Sequence, residues 1–558
     1  MRLKIALIVF FAIAGGVTAV PQPRPHAQRQ GRPRTVAGSK GSNSQASTDA
    51  PASLIEPVEL KNELVEYPNS KVAFICGPQL KVNSRLNPFP SFDTTQVRYG
   101  HVVGRESPNI APRVLTGTVS ATANSRTVNG KGTRFRSEID LTDSSLFYNG
   151  WLRINDRATY REAKVESVQS DTQLTLTATW KSAPVTNAVA DTYHYDSTQQ
   201  TWNYDHYLRS AYYDTALVEY INYYRTGDPA FLSYARKMAD ALWASQYIDH
   251  GTVVQGSNHL PPREQAFAGL MLRALDGKPE YWDYLYREVR ATFDTWLKLR
   301  RNNLTLYYDI REDGYAQLYA VMLARVLPDR YPLYANGTYL SPTGSATDGA
   351  QKRAVLLADA EDIGVNFFGR LQRPDGSWRW DVESEQVVNT EQPFMIGLYP
   401  ESLILLHQLT TSPRVQANLR EQIVRSCQHL YRDAYRGSEI VKDMPMFRWR
   451  GFWYYWGGGT SANPRAYEHG NGERAAKGDP GMISQVRQLN STVHHAFGYA
   501  YVITGDRAFL KMGDDIFGAS FGDATDNVRN IAQVGGKEYD MVFRSSGRYL
   551  VWRLYRPR

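Results

Sequence analysis

The chain has 558 residues, of which 12% are aromatic and 22% are charged, and its formal net charge is +8. Seven basic residues and one acidic residue fall within positions 1–51, so that segment carries +6 and the remainder only +2. A strongly basic folded body that would bind nucleic acid is therefore not expected. The length is sufficient for about two or three domains with at least one large core.

The N-terminal residues have the pattern of a secretory signal peptide. Arg2 and Lys4 precede an apolar run, Ile5–Ala14, and a small-residue site, Val17–Ala19. The apolar run is too short to cross a bilayer. We expect a signal peptide at 1–19, a disordered basic linker at 20–53 and a secreted or periplasmic, extracytoplasmic protein without a membrane span.

Two segments of extended character follow. Residues 54–112 contain short runs such as Val72–Cys76 that are broken by Pro and Asn, and we interpret the segment as irregular and partly β. Residues 113–197 alternate apolar and polar residues between turn signals, which predicts a small antiparallel β module. Its runs Thr127–Phe135 and Gly150–Ile154 resemble an accessory β domain of phage tail and surface proteins. That resemblance implies a spacer or adhesive role.

Residues 198–522 are predicted to be helical, as five helices that are apolar on more than one face and five amphipathic partners. The first set covers about 205–225, 263–275, 311–327, 392–409 and 489–503. The second set covers about 228–246, 279–300, 349–372, 413–433 and 506–518. This difference predicts buried inner helices wrapped by outer ones. Residues 523–558 alternate and are expected to form an extended C-terminal strap.

One pattern occurs twice in this helical part. Tyr223–Leu232 and Tyr501–Leu510 share a Tyr, a Thr-Gly-Asp and an Ala-Phe-Leu at the same spacing. A left-handed Gly ends one helix, and the Asp caps the next. Each copy therefore predicts the corner of an antiparallel helix pair, and the recurrence indicates repeated helical hairpins.

In its hairpin periodicity, its Thr-Gly-Asp corners and its tyrosine and tryptophan content, the part from Trp202 to Gly522 resembles the (α/α) toroid superfamily. That superfamily includes the six-hairpin glycosidases and toroidal polysaccharide lyases. The resemblance implies a mainly α fold, an (α/α) toroid of about five to six helical hairpins preceded by the small antiparallel β module. It also implies a carbohydrate substrate in a groove at the end where the inner helices begin. No motif selects one enzyme family.

Polar residues lie at the starts of the predicted inner helices, and helix capping is the alternative explanation for them. Hydrolysis needs two carboxylates beside the scissile bond. The catalytic candidates for hydrolysis are Glu264, Glu312, Asp313, Asp381 and Glu391. Elimination from a uronic acid needs a base and a group that neutralises the sugar carboxylate, roles that the toroidal lyases give to Asn, His, Tyr and Arg. The candidates for elimination are Asn490, His494 and Tyr499.

A long loop from Gly437 to about Val486 lacks helical periodicity and is rich in aromatic residues and arginine, which is typical of a functional loop. Aromatic faces stack on sugar rings, and arginines bind carboxylates. The candidate substrate-binding residues are Arg448, Arg450, Trp453, Tyr454 and Trp456, together with Trp378 and Trp380 from a smaller aromatic segment. The alternative is that these tryptophans belong to the core.

No metal, nucleotide or other cofactor is expected, because the sequence contains no ligand spacing or phosphate-loop motif. Cys76 and Cys427 are either a disulfide or two buried thiols. The sequence favours an exported carbohydrate-active enzyme that cleaves a polysaccharide, as a glycoside hydrolase or a polysaccharide lyase, with uronic-acid-containing glycan as one possible substrate. The alternative is a non-catalytic glycan-binding surface or adhesion protein.

Overall fold

The computed structural model describes residues 58–106, 111–139, 141, 151–155, 160–180, 184–194, 213–244, 266–298, 301, 310–334, 342–378, 380–382, 387–436, 451–452, 459–460, 490–521 and 536–555. Within them most of the chain is helical, and a small antiparallel sheet lies between residues 111 and 194. The predicted mainly α class with a small antiparallel β module is confirmed. The signal peptide and linker expected at 1–19 and 20–53 lie outside the described residues.

The segment that we expected to be irregular and partly β is helical over most of its length, so that prediction is wrong. Its helices are α1 (Val58–Glu63), α2 (Ser70–Cys76) and α3 (Pro90–Glu106). The side chain of Asn69 accepts hydrogen bonds from two backbone N–H groups at the start of α2. Val72 and Ile75 are buried in the main core. Capping and burial therefore outweigh the strand preference of these β-branched residues.

The β module has its own core. Its strands are β1 (Ala111–Val114), β2 (Thr118–Ala121), β3 (Thr127–Lys131), β4 (Trp151–Asn155), β5 (Tyr160–Ser170), β6 (Gln173–Leu176) and β7 (Val185–His194), with α4 (Phe135–Glu138) between β3 and β4. The strand order is β1-β7-β2-β3-β6-β5-β4, and β4 also pairs with β7, which closes the sheet on itself. Val128, Leu152, Ile154 and Leu174 are buried in a cluster separate from the main core. The enclosed core explains the alternation in the sequence.

Among the described residues, five helical hairpins occupy the predicted positions. Their first helices are α5 (Thr215–Thr226), α7 (Phe267–Leu275), α9 (Ile310–Val326), α13 (Leu398–Leu409) and α15 (His494–Thr504). Their partners are α6 (Pro229–Ala244), α8 (Tyr281–Phe293), α10 (Gly349–Ile363), α14 (Pro413–His429) and α16 (Ala508–Phe521). Each partner packs against its own first helix.

Shorter elements connect these helices. The π-helical turns Asp294–Lys298, Gly364–Phe368 and Leu430–Ala434 extend α8, α10 and α14. The other short helices are α11 (Gly369–Leu371), α12 (Pro393–Ile396) and a 3-10 turn at Asn490–Thr492. The short strands are β8 (Tyr331–Tyr334), β9 (Pro342–Ala346), β10 (Trp380–Val382), β11 (Val387–Thr390), β12 (Tyr435–Arg436), β13 (Gly451–Phe452) and β14 (Gly459–Thr460).

The two sets of helices differ in burial, as the sequence predicts. The stretch Leu398–Leu406 of α13 is buried without interruption. In α10, by contrast, the buried positions Leu356, Ala360 and Ile363 follow one face. The first helices are therefore the inner ones, and their partners expose a face to water.

Both copies of the repeated Thr-Gly-Asp pattern form the same corner. Gly227 and Gly505 have φ of +73° and +74°, in the left-handed region. In both copies the Thr hydroxyl donates to the carbonyl four residues earlier and accepts from the Asp N–H. The Asp carboxylate accepts from the N–H of the Ala two residues later. The corner is therefore specified locally, by three side-chain hydrogen bonds and one glycine.

Gly505→Ala is expected to lower the free energy of unfolding by about 1–2 kcal/mol, because alanine resists a left-handed backbone. Gly518 supplies a matched control inside α16, since a Cβ added there would meet only Phe89 Cε1, at 3.9 Å. Gly518→Ala is expected to stabilise the protein by up to about 1 kcal/mol through helix propensity. Urea unfolding of both variants measures the difference, and equal effects of the two substitutions would contradict the corner assignment.

The C-terminal part, which we expected to form an extended strap, is helical, so that prediction is also wrong. It contains α17 (Gly536–Phe543) and α18 (Ser546–Trp552). Every residue of α18 is buried. A helix without a polar face lacks the period that distinguishes a surface helix from a strand.

Successive inner helices pack against one another, and this series of contacts begins and ends at α5. α5 packs on α7, α7 on α9, α9 on α13 and α13 on α15. α15 packs on α18, and α17 packs back on α5. α3 packs on both α17 and α6. The N-terminal helix α3 and the C-terminal pair therefore complete the sequence of contacts that the five hairpins begin.

The N-terminal helix α2 packs against α5, α7 and α9. Near its start, Lys71 Nζ donates to the carbonyl of Val326 at the end of α9, at 2.8 Å. At its other end, Arg548 donates to the carbonyls of Ile75 and Cys76 at 2.8 Å and 3.3 Å. These bonds satisfy carbonyl groups that a helix terminus leaves without partners.

Both cysteines are free and buried. Cys76 ends α2 and Cys427 lies in α14, and burial raises the pKa of both thiols above the ordinary value. Of the two alternatives that the sequence leaves open, the structure therefore has the buried thiols. Both side chains act as small apolar core residues.

Candidate functional site

Several inner helices begin with acidic residues that are buried. Asp214 precedes α5, Glu312 and Asp313 lie in the first turn of α9, and Glu401 lies in the first turn of α13. Each of the four has an exposed fraction of 1% or less. A buried charge is costly unless it is paired and hydrogen-bonded. The partners of Glu401 and Asp214 define the candidate site.

Glu401 lies between two arginines from the C-terminal part of the chain. Its carboxylate oxygens are 3.3 Å from Arg544 Nε and 3.2 Å from Arg548 Nη1. Arg544 also donates to the hydroxyl of Tyr315 at 2.6 Å and to the carbonyl of Tyr213 at 3.3 Å. Burial alone would raise the pKa of Glu401, but the two arginines outweigh it and hold the pKa below the ordinary value. Glu401 is therefore ionised at neutral pH.

Asp214 is a carboxyl group with a different environment. It accepts hydrogen bonds from the N–H of Leu217 at 3.0 Å and from the N–H of Gly269 at 2.9 Å, which joins α5 to α7. Burial raises the pKa of Asp214 above the ordinary value, although these N–H groups and the charge of Arg544 oppose the rise. The pKa values of Asp214 and Glu401 are thus displaced in opposite directions, and Arg544 influences both.

The backbone around Asp214 is strained. Tyr213 and Asp214 have φ of +75° and +73°, and Ala266, just before α7, has φ of +46°. Each left-handed residue other than Gly costs on the order of 1–2 kcal/mol. Such residues cluster at functional sites, where the surrounding structure holds them in place. The bond from Gly269 to Asp214 provides such support, because it connects the two strained segments.

Two more buried carboxyl groups lie beside this cluster. Asn222 Nδ2 donates to Glu219 Oε2 at 3.2 Å, and the hydroxyl of Thr215 donates to Asp540. Burial raises the pKa of both carboxyl groups well above the ordinary value, and Glu219 raises that of Asp540 further. Neutral carboxyl groups can remain in an apolar interior. They form a polar seam between α5 and α17.

Asp214 and Glu401, both of which Arg544 influences, differ in the pH range over which each holds a proton. Asp214 keeps its proton to a higher pH than an ordinary aspartate, whereas Glu401 stays ionised to a lower pH than an ordinary glutamate. Two carboxyl groups whose environments separate their pKa values supply an acid and a base at the same pH.

A second buried group contains Glu391, one of the predicted catalytic residues. Glu391 Oε2 lies 2.5 Å from His429 Nε2, and His429 Nδ1 lies 2.9 Å from Asp433 Oδ2. The other Glu391 oxygen accepts from the backbone N–H of Trp378 at 3.2 Å. Arg432 pairs with Asp433 at its exposed end. This chain of charges leads from the fully buried Glu391 toward the surface.

Two aromatic segments that the sequence singles out meet in one small sheet. β11 pairs with β10, where Trp380 lies opposite Thr390, and with β14, where Val388 lies opposite Gly459. β10 belongs to the smaller aromatic segment, and β14 belongs to the long aromatic loop. β12 and β13 form another pair from the same loop. Strands therefore flank residues 453–458 on both sides.

Trp378, a predicted substrate-binding residue, is a core residue. It is fully buried. Its Nε1 donates to the carbonyl of Phe368 at 3.0 Å, and its ring meets that of Tyr399 edge to face. These contacts match the core interpretation that the sequence left open.

Two predicted residues on α15 have separate surroundings. The ring centroid of His494 lies 4.5 Å from that of Phe517, and burial lowers the pKa of His494 well below the ordinary value. The hydroxyl of Tyr499 lies 3.0 Å from His407 Nδ1. His494 is therefore a neutral imidazole among aromatic rings, and Tyr499 is hydrogen-bonded to a neighbouring helix.

The remaining predicted residues fall into three groups. Glu264, Arg448, Arg450, Trp453, Tyr454 and Trp456 lie outside the described residues. Trp380, Asp381 and Asn490 lie in described backbone, but their side chains are outside the description. Glu312 pairs with Arg311 Nε at 3.2 Å and, with Asp313, lies within one turn of Tyr315. These residues remain predicted candidates.

The central residues of the cluster were missed by the sequence reasoning. Glu401 is the one acidic residue of Leu398–Leu409, a helix that is otherwise mostly apolar. Arg544 and Arg548 flank Ser545–Gly547, between the apolar runs Met541–Phe543 and Tyr549–Trp552. An isolated charge in an apolar helix signals a buried ion pair, since a charge is rarely buried alone. The two sides of the pair are far apart in sequence, so only the fold identifies the partner.

No helix among the described residues has both the length and the apolarity needed to span a membrane. In the same part of the chain, no three His, Cys, Asp or Glu side chains are grouped so that they could hold a metal ion. A scan against protein-family models and searches of curated proteins and of solved structures gave no match to this chain.

Proposed function

We propose that this chain is an exported carbohydrate-active enzyme that cleaves a polysaccharide at the cluster of Asp214, Glu401 and Arg544. The observation that carries the proposal is the opposite displacement of the two carboxyl pKa values around one arginine. The strained backbone at Tyr213–Asp214 supports the same location.

The proposed architecture is an (α/α) toroid. It is supported by the order of contacts between the inner helices, which returns from α17 to α5. It is also supported by the burial of α13 on all sides and of α10 on one face. In such a toroid the inner helices begin at one end, so Asp214, Glu312 and Glu401 lie at that end. The groove predicted from the sequence is at the same place.

Hydrolysis is the reaction that the two carboxyl groups support best. Protonated Asp214 donates its proton to the glycosidic oxygen as the bond to the sugar breaks. Ionised Glu401 accepts a proton from the attacking water or stabilises the developing positive charge on the sugar ring. Elimination is the second reaction. Glu401 would then take the C5 proton, Asp214 would protonate the leaving glycosidic oxygen, and Arg544 would neutralise the uronic acid carboxylate. A substrate that contains uronic acid is compatible with both reactions.

The alternative function is glycan binding without cleavage, as in a surface or adhesion protein. The β module favours it, because the sheet is closed around a separate core and is independent of the carboxyl cluster. Polar side chains are exposed on this sheet. Gln169 Nε2, for example, donates hydrogen bonds to the hydroxyls of Ser167 and Thr175, at 2.7 Å and 2.8 Å. Exposed polar surfaces of this kind can contact sugars.

A panel of neutral and uronic-acid polysaccharides tests the proposal. New reducing ends without absorbance from an unsaturated sugar would indicate hydrolysis. New ends with that absorbance would indicate elimination. Glycan retention without any product would reject the enzyme and favour the binding protein.

A further inference from the structure

His429 lies between two carboxyl groups, and each of its ring nitrogens faces a carboxyl oxygen. Its Nε2 and Nδ1 lie 2.5 Å and 2.9 Å from oxygens of Glu391 and Asp433. A neutral imidazole has only one N–H, whereas the imidazolium has two. With both carboxylates ionised, only the imidazolium can donate to both. Loss of the proton leaves two negative charges facing one acceptor nitrogen.

The two residues that carry these carboxylates lie next to strands that pair with the aromatic segments. Glu391 follows β11, which pairs with β14. Asp433 lies in the π-helical turn Leu430–Ala434, which β12 follows, and β12 pairs with β13. The stretch 453–458 joins β13 to β14 in the sequence. Both strand pairs are therefore attached to His429 through one carboxylate each.

We propose that His429 is a positioning residue, whose imidazolium ties β11 to the end of α14 and so makes the arrangement of the two strand pairs depend on pH. The inference rests on the proposed function only in its consequence for ligand binding. If the aromatic segments contact the polysaccharide, their affinity for it falls when His429 loses its proton and its ion pairs with Glu391 and Asp433 are lost.

Other charged groups face this site. Arg432 pairs with Asp433 and donates to the carbonyl of Asp375 at 3.4 Å. Arg425, one turn before His429 on α14, donates to the carbonyl of Arg373. The turn that contains Asp375 packs closely here, because a Cβ added at Gly376 would lie 2.3 Å from the carbonyl of Arg425 and 3.1 Å from His429 Cβ. Within the part of the chain that the structure describes, these contacts bring the cations His429, Arg432 and Arg425 and the anions Glu391, Asp433 and Asp375 to the site.

The sign of the pH dependence follows from the displaced pKa values. Burial alone lowers the pKa of His429, but Glu391 and Asp433 outweigh it and hold the pKa above the ordinary 6.5. The stability that His429 supplies is therefore complete below pH 6.5 and is lost as the pH rises through the raised value. Burial alone would raise the pKa of Asp433, but Arg432 and His429 outweigh burial and hold that pKa below the ordinary value of 3.8. The stability that the Asp433 carboxylate supplies is therefore lost only below pH 3.8. The ion pairs of His429 with Glu391 and Asp433 are therefore strongest between these two pH limits.

The first test needs no ligand. NMR of protein labelled with ¹³C at its 11 histidines, with His429→Gln to assign the signal, measures the titration of His429. We expect His429 to titrate above 6.5 and Glu391→Gln to bring its pKa down. Hydrogen exchange of peptides covering 387–392 and 451–460, corrected for intrinsic rates, should rise roughly tenfold between pH 6 and pH 9. In His429→Gln the exchange should be high at both pH values.

The matched control is His101→Gln. His101 also pairs with an aspartate, Asp228 at 3.3 Å, but at a partly exposed site on α3. This variant should keep the wild-type pH dependence of exchange in both peptides. Titration of His429 at or below 6.5, or exchange that does not change with pH, would overturn the proposal. The wild-type exchange measurements decide the matter even if His429→Gln fails to fold.

The second test uses a polysaccharide that the wild type binds or cleaves. Its affinity should fall roughly tenfold between pH 6 and pH 9 in the wild type, and it should be low and independent of pH in His429→Gln. If no polysaccharide is bound, the proposed function fails while the tie is still judged by exchange. If the polysaccharide binds with the same affinity at both pH values while exchange rises, the tie does not position the binding residues and that part of the proposal is wrong.

Discussion

Glu401→Gln is expected to lower the free energy of unfolding by about 3–5 kcal/mol, because it leaves two buried arginines without a counter-charge. Glu401 and its partners Arg544 and Arg548 each have an exposed side-chain fraction of 1%. The burial of all three side chains is the reason that the expected loss is large. Urea unfolding at pH 7, followed by circular dichroism, measures the change.

The matched control removes the charge from an exposed glutamate. Glu421 pairs with Arg425 at 3.2 Å, but its side chain is 65% exposed. Glu421→Gln is therefore expected to change stability by less than about 1 kcal/mol. If Glu401→Gln were as mild as Glu421→Gln, Glu401 would not be the electrostatic centre of the inner helices. Arg544→Met in the Glu401→Gln background should recover part of the loss, because it removes one of the two unpaired charges.

Asp214→Asn is expected to lower kcat for polysaccharide cleavage by about 10²–10⁴-fold, because asparagine cannot donate the proton of a carboxylic acid. Asparagine is as good an N-cap as aspartate, so α5 should still begin at the same residue. The initial rate of formation of new chain ends, measured well below the melting temperature, gives the effect. Circular dichroism confirms that the variant is folded.

Asp506→Asn is the control for this substitution. Asp506 caps the start of α16 by accepting from the N–H of Ala508 at 2.9 Å, and it is exposed and distant in sequence from the carboxyl cluster. Its replacement should leave kcat unchanged. A similar loss of rate in both variants would mean that the effect of Asp214→Asn comes from helix capping rather than from catalysis.

The helical hairpins could be predicted from the sequence because their corners are local. In both copies the bonds of the Thr-Gly-Asp corner join residues no more than four positions apart. The closed β module could be predicted for a similar reason, since alternation reports directly which side of a strand is buried. Local patterns of this kind need no knowledge of the rest of the fold.

The termini of the described chain could not be predicted in the same way. α18 is buried on every side, so its sequence has no polar face from which to read a helical period. α2 begins at a single capping residue, Asn69, and contains β-branched residues that favour strands. In both helices tertiary packing decides the structure against the local preference.

The residues of the proposed site could be predicted from the sequence only in part. The sequence identified Glu312 and Asp313 at the start of α9, within a turn of Tyr315 in the cluster. It missed Glu401 and Arg544, which are separated by 143 residues and meet only through the packing of the C-terminal helices. It also placed Trp378 among the sugar-binding residues, whereas an aromatic residue preceded by a turn can equally be buried, as it is here.

The pH dependence of polysaccharide cleavage tests the central claim most directly, because it reports the acid and the base together. The raised pKa of Asp214 and the lowered pKa of Glu401 predict a bell-shaped profile of kcat/KM. The acid limb should report the pKa of Glu401, below the ordinary glutamate value of 4.5. The alkaline limb should report the pKa of Asp214, above the ordinary aspartate value of 3.8. In Asp214→Asn the residual activity should lose the alkaline limb. An unchanged alkaline limb in that variant would contradict the assignment of Asp214 as the proton donor.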